Sequence, residues 1–155
     1  MHYFILKTVH IASVVLFLGN IITGVFWKAH GDASGDLRAR AQALDGIIKS
    51  DRLFTLPGVV LIIVSGVLLA ITMHLPILGT KWILWALILF GISGVAFSAF
   101  VGPLQKRMLK NVQAGLGGNW NQAEYDAMSR SWMLWGLVAT AAPLGALILM
   151  VMKPS

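Results

Sequence analysis

Four long stretches of the chain carry no Asp, Glu, Lys or Arg, namely residues 8–27, 53–80, 82–105 and 131–152. Each has about twenty residues or more, enough for a helix that rises about 1.5 Å per residue to cross roughly 30 Å of hydrocarbon. The pattern predicts an all-α integral membrane four-helix bundle. It forms a single domain over residues 1–155, with spans near residues 4–28, 53–74, 81–103 and 129–152. The third span is expected to close at Gly102-Pro103, because proline interrupts a helix.

The two long connections between the spans carry weaker, amphipathic helical patterns. In the first, apolar residues recur at helical spacing after Asp36, a candidate N-cap: Leu37, Ala41, Leu44 and Ile48. In the second they are Leu104, Met108, Leu109 and Val112, and Asn119 or Asn121 then starts a helix that runs into span four. Such segments either lie on the membrane surface or extend the spans.

The order of the runs predicts two helical hairpins in parallel repeat. Each hairpin consists of a span, a basic connection and a second span, and a short turn of residues 75–79 joins the two. Spans one and three both follow a lysine and both carry closely spaced small residues, Gly19 to Gly24 and Gly91 to Gly94. Small residues of this kind let membrane helices approach closely.

Composition and charge support a membrane protein. The chain is 57% hydrophobic and 12% charged, too apolar for a soluble domain of this size. The net charge of +6 does not indicate nucleic-acid binding, because nine of the twelve basic residues lie in the two connections. Only Lys7, Lys81 and Lys153 lie on the other side. The positive-inside rule therefore puts both connections in the cytoplasm and both termini outside.

The distribution of reactive groups excludes several classes of function. The chain has no cysteine, so disulfides, thiolate metal sites and covalent c-type haem are excluded. All six carboxylates lie in the connections and none lies in a span. This counts against an ion-coupled transporter, which needs an intramembrane carboxylate or an equivalent relay. No nucleophile, base and acid occur together, and no catalytic residue is identified.

His10 is the only titratable side chain well inside an uncharged run. A proton-binding, metal-competent group in hydrocarbon is a candidate functional site. Lys7 shares its helix face, and His74 and Lys81 end and open the spans on the same outer side. We therefore expect a cluster of His10, His74, Lys7 and Lys81 that binds an anionic or metal-bearing cofactor. The alternatives are snorkelling for Lys7, Lys81 and His74, and a hydrogen bond to a neighbouring helix for His10.

The histidines do not form a convincing zinc or copper motif. Two imidazoles without cysteine or carboxylate make a weak zinc site, and Met73 is the only methionine beside the outer histidines. A haem iron needs only one or two axial ligands. His10 is the expected metal ligand, either alone, with His74, or with a water or a lysine.

The chain also resembles a known family. The segments that carry the resemblance are residues 6–10, 19–20, 23–28, 53–58, 82–85, 103–105 and 151–154. They are similar to the bacterial integral membrane family catalogued as domain of unknown function 2269, whose name carries no function. More distantly, the chain is similar to the four-span group that includes HemJ-type protoporphyrinogen oxidases and CopD-type copper-resistance proteins.

The HemJ resemblance implies a cofactor. HemJ proteins open with a lysine and, three residues later, a histidine that is a haem-ligand candidate, which match Lys7 and His10 and imply a b-type haem at His10. The HemJ pattern also has an essential lysine in span three, where this chain has Ala86. That departure puts HemJ enzymatic activity in doubt.

Three functions remain open from the sequence. The first is a haem-b-binding protein of the bacterial inner membrane, acting in redox or haem-related chemistry, with both termini periplasmic. The second is a cofactor-free structural or accessory subunit of a larger membrane complex, with a membrane protein partner or as a homo-oligomer. The third is a CopD-like copper-handling protein. In each case the lipid bilayer is the surrounding medium and no nucleic acid is bound.

Overall fold

The computed structural model describes residues 2–154, in which four long helices follow one another without any strand. They are α1 (His2–Ala33), α2 (Leu37–Thr72), α3 (Lys81–Leu116) and α4 (Gln122–Met152), and each is long and apolar enough to cross a membrane. The all-α, four-helix prediction is confirmed. The start of α1, the end of α4 and the turn between α2 and α3 lie at one end of the bundle, the terminus end. The turns α1–α2 and α3–α4 lie at the other, the connection end.

The helices α2 and α3 are longer than the predicted spans. Each has 36 residues, or about 54 Å at 1.5 Å per residue, well beyond the roughly 30 Å of a hydrocarbon core. The two amphipathic connections are therefore continuous with the spans and extend them. Their apolar faces are buried as the periodicity indicates, and Leu44, Met108 and Val112 are almost fully inaccessible.

The expected closure of the third span at Gly102-Pro103 is wrong, because α3 continues through Pro103 to Leu116. A π-helical turn, Phe97–Val101, precedes the proline, and the Gly102 N–H bonds the Phe97 carbonyl five residues back. The helix α2 repeats the arrangement with the turn Asp51–Thr55 before Pro57. A wider turn moves away the carbonyl that a proline ring would strike in an α-helix, so the helix tolerates the residue.

Side-chain caps start α2 and α4 as the sequence predicts. Asp36 accepts a hydrogen bond of 3.0 Å from the Arg38 N–H. Of the two asparagines considered for α4, Asn121 is the cap, and it accepts a bond of 3.1 Å from the Glu124 N–H. Each cap satisfies an N–H that would have no partner inside its helix.

The helices pair as two hairpins, α1 with α2 and α3 with α4. Near the connection end the hairpins join, because the first part of α2 packs on the last part of α3 and α1 packs on α4. The main core lies in this half and includes Tyr125, Met128 and Trp132. Toward the terminus end the backbones of the hairpins separate: Leu56–Thr72 packs on α1 and Lys81–Ala96 on α4.

The parallel repeat stays a prediction. The pairing of α1 with α2 and of α3 with α4 agrees with two hairpins. The two π-helical turns, however, lie in α2 and α3, which are not equivalent helices in such a repeat.

Candidate functional site

His10 lies half-buried on α1, facing α2 in the terminus half of the bundle. Its Nδ1 is 3.0 Å from the hydroxyl oxygen of Ser65, which is only 3% exposed. This is the hydrogen bond to a neighbouring helix that the sequence left open as one reading of His10. The bond ties two residues that are 55 positions apart.

The contacts of Ser65 favour one protonation form of His10. The Ser65 hydroxyl is within bonding distance of the Leu61 carbonyl and is 3.4 Å from the Ile62 carbonyl. When the single hydroxyl proton is donated to a carbonyl, the Ser65 oxygen accepts from the Nδ1–H of His10. The lone pair then lies on Nε2, the form in which an imidazole binds a metal. A metal-binding histidine ordinarily donates its other N–H in the same way.

Gly66 makes room for the imidazole ring. A Cβ atom at this position would lie 3.1 Å from Cε1 and 3.5 Å from Nδ1 of His10. Ser65 and Gly66 together form what we call the His10 seat, one residue supplying the hydrogen bond and the other the space. The Nδ1–Cε1 edge of the ring therefore faces α2.

The other three predicted site residues lie at the terminus end but make no hydrogen bond to His10 within residues 2–154. Lys7 is exposed, with its Nζ 5.8 Å from the centre of the Tyr3 ring. His74 is exposed just past the end of α2, in a left-handed conformation with φ of 51°. Seven residues of helix, or about 10 Å of rise, separate Ser65 from Thr72, the last residue of α2 before His74. Lys81 is exposed at the start of α3.

The described part of the chain has no preassembled cluster of metal ligands. No group of three histidine or carboxylate side chains lies close enough there to hold a metal ion. A zinc site needs such a group, whereas a haem iron needs only one or two protein ligands.

The burial of one lysine was not predicted from the sequence. Lys28, counted as a topology signal, is 3% exposed. Its Nζ donates to Asp32 at 2.6 Å and to Ser129 of α4 at 2.7 Å, and lies 5.2 Å from the centre of the Trp132 ring. Asp32 also accepts from the Tyr125 hydroxyl. Lys28 and Asp32 are four residues apart on one helix, and this spacing was the available signal for the pair.

Asp51 is the second group that was missed. It was assigned to the connection before span two, yet it lies within α2 and is only 7% exposed. Its Oδ1 accepts from Asn20 Nδ2 at 3.0 Å and from Thr55 Oγ1 at 2.8 Å, and its Oδ2 accepts from Gln105 Nε2 at 3.2 Å. Asn20 and Gln105, polar residues inside uncharged runs, were the available signals. The sequence placed Asp51 just before span two, and the structure adds that it is buried among the helices there.

Comparison with known proteins identifies the family of the chain. A family model described as "Predicted integral membrane protein (DUF2269)" matches residues 4–154. Comparison with curated proteins and with solved structures gives no significant match. The match covers nearly the whole chain and agrees with its four long apolar helices. The chain therefore belongs to the integral membrane protein family DUF2269.

Proposed function

We propose that the protein binds a b-type haem through Nε2 of His10 and acts in redox or haem-related chemistry. The observation that carries the proposal is the His10 seat. With its own proton on the Leu61 carbonyl, Ser65 accepts a hydrogen bond from Nδ1–H, and Nε2 keeps the lone pair that an iron ligand needs. The ring is held in one orientation by the hydrogen bond and by the space at Gly66.

The residues of the terminus half are chemically suited to a haem. His10 supplies one axial ligand, and Ser65 keeps its ring oriented and its ligating nitrogen unprotonated. Lys7 lies three residues before His10 on the same face, and its ammonium group suits a haem propionate. The exposed His74 and Lys81 at the same end are further candidates for propionate contact. A bound haem supplies one-electron chemistry.

The test is the absorbance spectrum of the protein purified from haem-sufficient cells, oxidised and then reduced. We expect a Soret band in the native protein and its loss in His10→Ala. Ser65→Ala should retain the band with reduced haem occupancy, because the ligand loses the partner that orients it. The matched control is His30→Ala, which removes an exposed histidine from the connection-end half of α1. A colourless native preparation contradicts the proposal.

A cofactor-free accessory subunit is the second candidate. The observation that favours it is the separation of the hairpin backbones, since the backbones of Leu56–Thr72 and Lys81–Ala96 each approach a single helix of this chain. Faces left uncovered in that way suit a larger membrane complex or a second copy. This function predicts a native protein without a Soret band, an inert His10→Ala variant and co-purification with a partner. The third candidate, copper handling, predicts copper in a metal analysis and its loss in Met73→Leu and His74→Ala.

We further propose that the protein resides in the bacterial inner membrane with both termini in the periplasm. Nine of the twelve basic residues lie in the connection-end half and three in the terminus half, and short loops rich in Lys and Arg stay cytoplasmic. An alkaline phosphatase reporter fused after the last residue should be active. A reporter that is active only when inserted at Gly118, in the α3–α4 turn, would invert the orientation.

A further inference from the structure

The Asp51 cluster, formed by Asn20, Asp51, Thr55 and Gln105, is a carboxylate held by neutral groups. Three side chains donate to its two oxygens. Among the described residues, no lysine, arginine or histidine nitrogen lies within 4 Å of Asp51. A buried charge without an opposite charge is costly, and the donors offset only part of that cost. Such a carboxyl can take up a proton without breaking an ion pair.

A small cavity of about 30 Å³ adjoins the cluster. All four helices contribute to its lining, and Asp51 is the only titratable residue among the lining residues. Lys28 lies over the ring of Trp132, which lines the cavity, but is already engaged by Asp32. The electrostatic environment of Asp51 is therefore determined by neutral hydrogen-bonding groups.

Trp132 provides an independent sign that the cavity is hydrated. It lines the cavity, is 3% exposed, and its buried Nε1 has no hydrogen-bond partner in the protein. An unpaired buried N–H of this kind calls for an acceptor. The volume is enough for a water, and the lining offers Asp51 and Thr140 as further polar partners.

A groove of about 550 Å³ lies between α1 and the first part of α2 and extends from the protein surface to this cavity. Asn20, Gly24 and Ile47 line both the groove and the cavity. The groove also carries exposed polar groups such as Thr23 and Gln42, and one titratable side chain, His30. Asn20 therefore lies between the groove and the Asp51 carboxyl.

The cavity also lies beside the two π-helical turns. Asp51 and Thr55 bound the turn in α2, while Phe97 and Val101, which line the cavity, bound the turn in α3. Such turns occur frequently at functional sites. Here the turn in α2 contains both Asp51 and its donor Thr55.

We propose that Asp51 is a proton-binding site in the bundle interior, which exchanges a proton with water in the cavity and, past Asn20, with the α1–α2 groove. Proton uptake forms one O–H bond on the carboxylate, and the proton comes from hydronium or water in the groove. No oxidant or reductant takes part. The site is separate from the His10 seat and does not depend on haem binding.

The test is infrared difference spectroscopy of the full-length protein in lipid nanodiscs during a pH titration. We expect a carboxylic-acid C=O band that downshifts in D₂O, disappears on the alkaline side and is absent in Asp51→Asn. The matched control is Asp45→Asn, which removes an exposed carboxylate paired with Lys49 and should leave the band in place. A difference spectrum that is the same in Asp51→Asn and the native protein overturns the proposal.

Two further variants cover the case in which Asp51→Asn does not fold. Gln105→Leu removes a donor that favours the charged form, so the titration midpoint of the band should rise by about one pH unit; an unchanged midpoint contradicts the proposal. Gly24→Leu places a side chain where the groove meets the cavity, and an added Cβ there meets only Ile47 within 4 Å. Deuteration of the band after transfer to D₂O should be several-fold slower in this variant, and an equal rate contradicts the route.

Discussion

At the scale of single residues, burial distinguishes two ion pairs that otherwise have the same geometry. Lys28–Asp32 and Lys49–Asp45 both join positions four apart on one helix, and both have an N–O distance of 2.6 Å. Lys28 is 3% exposed, whereas Lys49 is 74% exposed. Lys28 also bonds Ser129 of α4. The buried lysine therefore links two hairpins, while the exposed one stays within its own helix.

The first prediction follows from this contrast. Lys28→Ala should lower the free energy of unfolding by about 2–3 kcal/mol, because it removes one partner of a buried pair and the bond to α4. Lys49→Ala should change it by about 0.5 kcal/mol or less, as expected of a solvated pair. Denaturant unfolding in detergent micelles measures both. Equal losses in the two variants would refute the distinction.

The second prediction at this scale concerns the His10 seat. Gly66→Ala brings a methyl group to 3.1 Å from His10 Cε1, so the ring must shift and its bond to Ser65 must lengthen. Nitrogen-15 NMR of labelled histidine should show a changed tautomer balance for His10 in this variant. Gly91→Ala is the matched control, since an added Cβ there meets nothing within 4 Å. A His10 signal that moves equally in both variants would argue against the seat.

At the scale of helices, Gly31 lets α1 and α2 approach closely. A Cβ added at Gly31 would lie 2.9 Å from the Ala43 Cβ and 3.4 Å from the Ala39 carbonyl oxygen. Neither of these atoms belongs to a flexible side chain. The crossing near the connection end therefore depends on the missing side chain, as is common between membrane helices.

The prediction at this scale compares the same substitution at two glycines of α1. Gly31→Ala should destabilise the protein by about 1–3 kcal/mol, because two backbones must separate. Gly19→Ala should stabilise it by up to about 1 kcal/mol, since an added Cβ there meets nothing within 4 Å and alanine favours a helix. Thermal unfolding in one detergent gives both values. A stabilising Gly31→Ala would show that the crossing is not tight.

For the whole molecule, the backbones of the two hairpins are joined near the connection end and separate toward the terminus end. The core residues and the Lys28–Ser129 bond tie them near the connection end. Farther toward the terminus end, the Phe17 ring of α1 packs against the Phe90 ring of α3, with centroids 5.6 Å apart. Phe17 is 4% exposed, so this contact is a buried bridge between the hairpins.

The corresponding prediction uses the absence of cysteine, which makes paired spin labels straightforward. In Phe17→Ala, the distance between labels at Leu68 and Leu87 should increase or broaden, because the bridge between α1 and α3 is lost. Labels at Gln42 and Lys110, near the connection end, should keep their distance. Pulsed electron paramagnetic resonance measures both. An unchanged Leu68–Leu87 distance would mean that other contacts hold the hairpins together.

Local sequence pattern predicts most of the helical content. Spacing within a single helix is enough to predict the caps Asp36 and Asn121. It is also enough to predict the buried positions Leu44, Met108 and Val112. The continuation of α3 past Pro103 cannot be predicted in this way, because the rule that proline ends a helix assumes α-helical spacing. A π-helical turn changes that spacing, and the pattern of apolar residues carries no sign of it.

The polar sites were less predictable, for a different reason. His10 was recognised from its place in an apolar run, but its partner Ser65 lies 55 residues away. Asp51 was placed in a connection and its burial was not predicted, because its donors Asn20 and Gln105 are 31 and 54 residues distant and belong to other helices. Whether such a polar side chain is buried depends on which helices pack around it.

Apolar runs alone therefore establish the number of helices and their approximate limits, because a bilayer requires about twenty consecutive apolar residues of any spanning helix. They also single out His10 as unusual. Packing establishes the partners: Ser65 for His10, Ser129 for Lys28 and Gln105 for Asp51. A hydrogen bond acts over about 3 Å, and only the tertiary arrangement brings residues this far apart in sequence within that distance.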